Sequence, residues 1–296
     1  MKKTTAARRL AMILGACLII AMLPAAVMAA GVYAPVKGTI TYYPDNEEAS
    51  VERNVSISYK SNGRITKLED YRIAGSTTGA GPLIRSWSWK GNRITKSAFS
   101  YAALLSSQTT YSYREDQLEK RAFRGSTDTA ALYQWKKGKA SFSDRKNGIT
   151  GTLKADKNGR IIEETWDENG DIYSSKTRYY KNGNIKSRTE SFQSEDQADY
   201  KVTRKYNSAG YITSVKTRDS LITYSYLMDL KKNSPKKITV IRKDLTKNKE
   251  APFVLFTYNF TKYQKVKRTR NCDQNGIEFL LFAENGTYPS MREGLY

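Results

Sequence analysis

One short pattern recurs along this chain of 296 residues and restricts its fold more than any other feature. Residues 179–192, YYKNGNIKSRTESF, read as a strand, a tight turn and a second strand. The stretches SYKSNGRITKLEDY, SWKGNRITKSAFSY and KYNSAGYITSVKTR repeat the order of aromatic residue, polar turn and aliphatic residue. Residues two apart on a strand share a face, so each copy predicts a hairpin with one apolar face.

A lone hairpin is marginal in water, whereas stacked hairpins share one apolar layer. Between positions 138 and 183 a turn glycine follows every 10 to 13 residues, which is typical of an antiparallel meander. We therefore predict an all-β fold: an elongated or curved antiparallel sheet of stacked β-hairpin repeats. Because a two-residue hairpin turn needs positive φ, we assign structural turn roles to Gly63, Gly159, Gly170 and Gly183.

Residues 1–30 predict a secretory signal peptide. Basic residues at positions 2, 3, 8 and 9 precede an apolar run that ends in Val27-Met28-Ala29, a small-x-Ala cleavage pattern. Pro24 and the Ala-rich end favour cleavage over an uncleaved membrane anchor. The sequence also contains a lipobox that ends at Cys17, but a longer apolar run follows it, so lipoprotein anchoring is the minority interpretation. The twin-arginine interpretation of positions 8 and 9 lacks a preceding Ser or Thr.

The rest of the chain divides into three predicted segments. An N-terminal lead-in covers 31–50, the β-hairpin repeat domain covers 51–282, and a C-terminal tail covers 283–296. No second long apolar segment follows the leader, so we predict no transmembrane span after cleavage. The expected location is secreted or associated with the cell envelope.

Charge sets the expected partners. The net charge is +21, and it becomes +17 once the four basic residues of the leader are removed. A charge of this size predicts attraction to an anionic polymer or surface: teichoic acid, acidic glycan or lipid headgroup. General solubility is the alternative. The nearest approach to a basic run is Lys231-Lys232 with Lys236-Lys237, which is too short to favour nucleic acid.

The chain contains no histidine, which excludes Ser-His-Asp and Cys-His catalysis. Cys272 is alone once Cys17 leaves with the leader, so no internal disulfide can form. The acidic stretch EETWDENGD places Glu163 and Glu164 on opposite faces of a predicted strand, whereas a glycosidase needs two carboxylates facing one bond. We therefore predict no catalytic residues.

The same stretch resembles the start of a calcium loop, with Asp167, Asn169 and Asp171 at alternate positions. An EF-hand would continue with Gly and Glu where this chain has Ile172 and Arg178. No phosphate-binding or dinucleotide-binding fingerprint is present. We predict neither a metal site nor a cofactor.

Aromatic side chains are the remaining candidates for ligand binding. Trp87, Trp89, Trp135 and Trp166 could stack on sugar rings. Paired aromatics at strand spacing are also what the core of a hairpin repeat requires. Both interpretations stay open at this point.

The units SYKSNGRI, RKYNSAGYI and RYYKNGNI resemble YD repeats, the hairpin repeats of Rhs-type bacterial surface proteins, and are similar to variant MORN-type repeats. The resemblance covers about residues 51–280. The Asp that follows Tyr in YD repeats is replaced here by Lys, Arg or Asn. The resemblance implies a hairpin-repeat fold and an exported setting.

Two functional hypotheses follow. The first is an exported, non-catalytic binding module whose cationic surface associates with anionic envelope polymers or surfaces. The alternative is a carbohydrate-binding or carbohydrate-active protein that uses the aromatic residues and carboxylates.

Overall fold

The computed structural model describes residues 32–43, 51–72, 83–91, 93–101, 105–114, 117–124, 129–158, 160–194, 199–246 and 251–267. These residues form one 18-stranded sheet. Its first nine strands are β1 (Val32–Tyr42), β2 (Val51–Tyr59), β3 (Ile65–Arg72), β4 (Leu83–Lys90), β5 (Arg93–Tyr101), β6 (Leu105–Arg114), β7 (Gln117–Arg124), β8 (Thr129–Lys136) and β9 (Lys139–Asp144). The other nine are β10 (Ile149–Ala155), β11 (Ile161–Glu168), β12 (Asp171–Tyr179), β13 (Ile185–Gln193), β14 (Tyr200–Tyr206), β15 (Ile212–Lys216), β16 (Ser220–Asp229), β17 (Ser234–Asp244) and β18 (Phe253–Val266).

The predicted signal peptide, Cys17, Cys272 and the predicted C-terminal tail lie outside the described residues. Within the described part of the chain, no helix has the length and the apolar character needed to cross a bilayer.

The sheet closes on itself. Each strand pairs antiparallel with its neighbours in sequence, and β1 pairs with both β2 and β18. The register between the first and last strands runs from Val32 opposite Val266 to Tyr42 opposite Phe256. The all-β, antiparallel prediction is confirmed, but the prediction of an elongated or curved open sheet is wrong. The closing strand β1 lies within 31–50, a segment without the repeat pattern, and closure removes the exposed edges of an open sheet.

The apolar faces of the hairpins fill the inside of the barrel. Ile40, Ile65 and Tyr258 have no exposed surface, and they belong to one continuous core that receives side chains from strands around the ring. Arg121 on β7 lies with its guanidinium carbon 5.2 Å from the ring centre of Trp166 on β11. Both side chains are buried and their strands are four apart, so this contact crosses the lumen.

Antiparallel closure gives the barrel two different rims. The turn rim carries the described connections 60–64, 137–138, 180–184, 207–211 and 230–233, together with residues 91, 156–158 and 160, Val32 and Lys267. The loop rim carries the described connections 145–148, 169–170 and 217–219, together with residues 43, 194, 199, 245–246 and 251–252. The strands between the rims form a continuous wall, so the rims are the parts of the barrel where turns and loops present side chains.

Candidate functional site at the turn rim

Three described turns of the turn rim, 60–64, 180–184 and 207–211, share one hydrogen-bond pattern. The amide of Gly183 donates to the carbonyl of Tyr180 over 3.0 Å, and the amide of Tyr180 donates to the carbonyl of Asn184 over 2.8 Å. Gly63 makes the equivalent bond, and the φ angles of Gly63 and Gly183 are 84° and 90°. The pattern fits a type I turn followed by a left-handed glycine, which is longer than the two-residue turn expected from the sequence.

The two other predicted turn glycines have different outcomes. Asn169 and Gly170 form a two-residue turn at the loop rim, with φ angles of 55° and 97°, as a type I′ turn requires. Gly159 lies outside the described residues.

A β-bulge follows most turns of the turn rim. Tyr113 on β6 is opposite Leu118 on β7, but Ser112 is opposite Lys120, so Glu119 is an extra residue. Equivalent register shifts follow five other aliphatic residues: Ile65, Ile94, Ile161, Ile185 and Ile212. Because a bulge interrupts the ladder, nearby carbonyls need other donors.

Aromatic side chains from the next hairpin supply those donors. The indole nitrogen of Trp89 donates to the carbonyl of Ile65 over 2.7 Å, and the hydroxyl of Tyr113 donates to the carbonyl of Ile94 over 2.9 Å. The same bond joins four further pairs: Trp135 to Leu118, Tyr179 to Ile161, Tyr226 to Ile212 and Tyr263 to Pro235. We call each such bond an aromatic clamp. The clamps join neighbouring hairpins, and each of the six described clamps uses Trp or Tyr, which carry the donor that Phe lacks.

Several clamp rings also hold a cation. The guanidinium carbon of Arg64 lies 4.7 Å from the ring centre of Trp89. The guanidinium carbon of Arg93 lies 5.4 Å from the ring centre of Tyr113, and that of Arg160 lies 4.4 Å from the ring centre of Tyr179. Each of these arginines directly precedes the aliphatic residue whose carbonyl the ring binds. Cation–π contact therefore fixes arginine side chains at the turn rim.

Further cations at the turn rim are exposed to water. They are Lys60, Lys90, Arg114, Lys136, Lys137, Lys139, Lys157, Lys181, Lys231 and Lys267. Described acidic side chains at this rim are paired with its own cations: Asp156 lies 2.5 Å from Arg160, and Asp229 lies 2.8 Å from Lys232. Hydrogen bonding from Lys232 lowers the pKa of Asp229. The described turn rim is therefore an almost entirely cationic surface.

The loop rim has a mixed charge. Its described residues include the acidic side chains of Glu168, Asp171 and Asp219 beside the basic side chains of Arg145 and Lys146. The two ends of the barrel therefore differ in electrostatic potential, and only the turn rim has a dominant sign among the described residues.

The four tryptophans predicted as ligand contacts lie in or against the core. Trp87, Trp89 and Trp166 are buried, while Trp135 is partly buried and donates its indole N–H to the carbonyl of Leu118. The structure does not gather them into one site. Their role in ligand binding stays a prediction.

The carboxylates of the acidic stretch do not face each other. Glu163 is exposed on the outer wall, where it lies 3.5 Å from Lys154, and Glu164 is buried on the inner face. Among the described residues, no group of three His, Cys, Asp or Glu side chains is arranged to hold a metal ion.

Alkaline pH is expected to weaken the clamp at Tyr113. Burial raises the pKa of Tyr113 to about 12, although the cation of Arg93 acts in the opposite direction. The folded state therefore keeps its proton where the unfolded state loses it. We expect stability from this group to be complete below about pH 10 and to be lost towards about pH 12, by an amount on the order of 2 kcal/mol.

Guanidinium denaturation between pH 8 and pH 12 measures this loss. Tyr113→Phe is expected to start about 1 kcal/mol less stable, because it lacks the hydrogen bond, and then to decline less steeply with pH. Tyr200→Phe, at an exposed tyrosine, is the control and should follow the parent protein. Parallel curves for the Tyr113→Phe variant and the parent would contradict the assignment.

No protein-family model and no curated protein matches this chain. Solved structures with similar arrangements include a porin-like protein from Bacteroides uniformis, at 11% identity and a TM-score of 0.39, covering 78% of this chain and 98% of the other. A porin-like protein from Bacteroides vulgatus has 10% identity and a TM-score of 0.32, covering 77% and 98%. A TcdB2-TccC3-TEV structure has 8% identity and a TM-score of 0.28, covering 76% and 13%.

The expected resemblance to YD repeats and variant MORN-type repeats is wrong. No family model supports it, and the hairpins form a closed ring instead of an elongated repeat array. The repeated aromatic residues have a local cause in the clamps. Any chain that joins bulged hairpins through Trp and Tyr donors would show a similar sequence pattern.

Proposed function

We propose that this chain is an exported, non-catalytic β-barrel whose cationic turn rim associates with anionic polymers or surfaces of the cell envelope. The observation that carries the proposal is the set of exposed lysines and arginines on one rim, where the described acidic side chains are already paired. A field of one sign at one end of a molecule attracts and orients polyanions. Export rests on the predicted signal peptide, and the choice of an envelope partner rests on export.

The polar character of the outer wall favours the turn rim as the binding surface. On β10 the outward side chains are Thr150, Thr152 and Lys154, and β11 presents Glu163 and Thr165 on the same side. Transmembrane β-barrels have the reverse arrangement, with an apolar band outside and a polar lumen. A polar wall suits contact with water, so the charged turn rim is the surface better suited to binding.

Two variants matched in their loss of charge test the proposal. The rim variant replaces exposed lysines of three separate turns by glutamine, and the matched control replaces exposed lysines of the wall: Lys90, Lys157 and Lys181 against Lys120, Lys176 and Lys201. Both variants lose the same total charge. Fluorescence anisotropy with labelled polyphosphate, repeated across a sodium chloride series, gives the affinity and its dependence on salt.

The parent protein should bind polyphosphate strongly at low salt and lose affinity as salt rises, because polyanion binding releases counterions. The rim variant is expected to reduce the slope of log affinity against log salt by about three, close to one for each lysine. The wall variant should keep most of the slope. Equal losses in both variants would show that net charge, and not the rim, governs binding.

A further inference from the structure

The hairpin formed by β16 and β17 differs from the rest of the turn rim because it exposes leucines. Leu230 stands in the turn with 83% of its surface exposed, and Leu227 near the end of β16 is 59% exposed. Lys231 and Lys236 are exposed on either side of the tip. Large exposed apolar side chains beside cations are typical of an interaction surface.

The turn holds Leu230 outward through a defined set of bonds. The carboxylate of Asp229 accepts hydrogen bonds from the amides of Lys231 and Lys232 over 3.1 and 3.2 Å, and it pairs with the Lys232 ammonium at 2.8 Å. That ammonium also lies 4.4 Å from the ring centre of Tyr263 on β18. The acidic group is thereby neutralised and used to shape the turn, so the tip presents one apolar side chain within a cationic surface.

We propose that this hairpin docks on an anionic lipid bilayer, with Leu230 entering the boundary between headgroups and acyl chains. The proposal rests on the proposed function, because it names the surface that the turn rim binds. A soluble polyanion satisfies the lysines and leaves Leu230 in water. An anionic bilayer offers a partner to both: Leu230 at the tip can contact the acyl chains, and the lysines behind the tip can contact the phosphate headgroups.

Lysines adjacent to the hairpin extend the contact. Lys236 and Lys237 begin β17, and Lys262 and Lys265 occupy the last part of β18. Each basic residue near an anionic leaflet adds to binding, and the effect falls off within a Debye length. The docking surface therefore consists of the β16–β17 tip and the adjacent end of β18.

Cosedimentation of the protein without its predicted signal peptide tests the proposal with vesicles. The vesicles contain phosphatidylcholine alone or phosphatidylcholine mixed with phosphatidylglycerol. Leu230→Ser is expected to lower partitioning onto the anionic vesicles by about tenfold, because one leucine side chain leaves the apolar boundary. The matched control is Leu132→Ser, which removes a leucine 56% exposed on the wall of β8. This control should bind as the parent does.

Leu230→Trp gives a second measurement that does not depend on loss of binding. Its emission should shift to shorter wavelength with anionic vesicles and stay unshifted with phosphatidylcholine alone. An unshifted emission on bound vesicles, or unchanged partitioning of Leu230→Ser, would overturn the docking proposal.

The polyphosphate experiment separates this proposal from the broader one. Rim-dependent binding of polyphosphate without any vesicle binding would refute bilayer docking and support the proposed function. Binding of neither probe would refute both. Loss of vesicle binding in Leu230→Ser, with polyphosphate binding unchanged, is the result that supports bilayer docking.

Discussion

Gly151→Val is expected to destabilise the barrel by about 3 kcal/mol or more, the upper end of the range for overpacked cores. Gly151 lies on β10 opposite Phe142 and Trp166, and the ring of Phe142 fills the space that a side chain at this position would need. A Cβ atom at this position would overlap Cζ of Phe142 and would lie 2.5 Å from the carbonyl oxygen of Thr165. The second contact is with backbone, so rotation of a side chain cannot relieve it.

Denaturant or thermal unfolding measures this effect, and the neighbouring residue supplies the control. Thr150→Val changes the outward, exposed position of the same strand and should alter stability by no more than about 0.5 kcal/mol. Gly151→Ala introduces the same Cβ atom with less bulk and should fall between the two. A Gly151→Val protein as stable as Thr150→Val would mean that the ring of Phe142 does not occupy this space.

The local pattern of the sequence predicted individual hairpins well. The period of two placed Glu163 and Glu164 on opposite faces, and the Asn169-Gly170 pair forms the two-residue turn that its residue types require. These features depend on neighbours in the chain, where backbone sterics and strand geometry decide the outcome.

Closure of the sheet was beyond the same reasoning. The repeat pattern describes how each hairpin meets the next, but closure depends on pairing between β1 and β18, which are separated by almost the entire described chain. The residue types of Tyr42 and Phe256 do not indicate that their strands pair with each other, because the same residues would suit two unpaired edge strands. Gly151 is likewise understood only once the opposing rings are in place.

The aromatic clamps left a signal that the sequence reasoning did not use. Trp89, Tyr113 and Tyr179 occupy equivalent places and all carry an N–H or O–H donor. An apolar core would accept Phe equally, so strict use of donors indicates a hydrogen bond. The placement of cations was also readable in part, since Arg64 and Arg93 directly precede the aliphatic residues that follow the turns.

A buried charge cluster inside the lumen gives the second large expected effect. Oε1 of Glu190 on β13 lies 2.9 Å from Nε of Arg188, and its Oε2 accepts a hydrogen bond from Arg204 on β14. The side chains are only 6 to 12% exposed. Burial is the largest single influence on the pKa of Arg204 and would lower it, but the charge and hydrogen bond of Glu190, together with Tyr206, outweigh burial, and the pKa is raised.

Glu190→Leu is expected to cost about 3–5 kcal/mol, because it removes the carboxylate from two arginines that remain buried. Glu163→Gln is the control: it breaks the exposed pair with Lys154 and should cost less than about 1 kcal/mol. The triple variant Arg188→Leu, Glu190→Leu, Arg204→Met removes all three charges and should recover much of the loss, since apolar replacements of a buried ion cluster are often neutral. Urea unfolding of the three proteins gives the comparison. A Glu190→Leu protein no less stable than Glu163→Gln would mean that water reaches this part of the lumen and solvates the arginines.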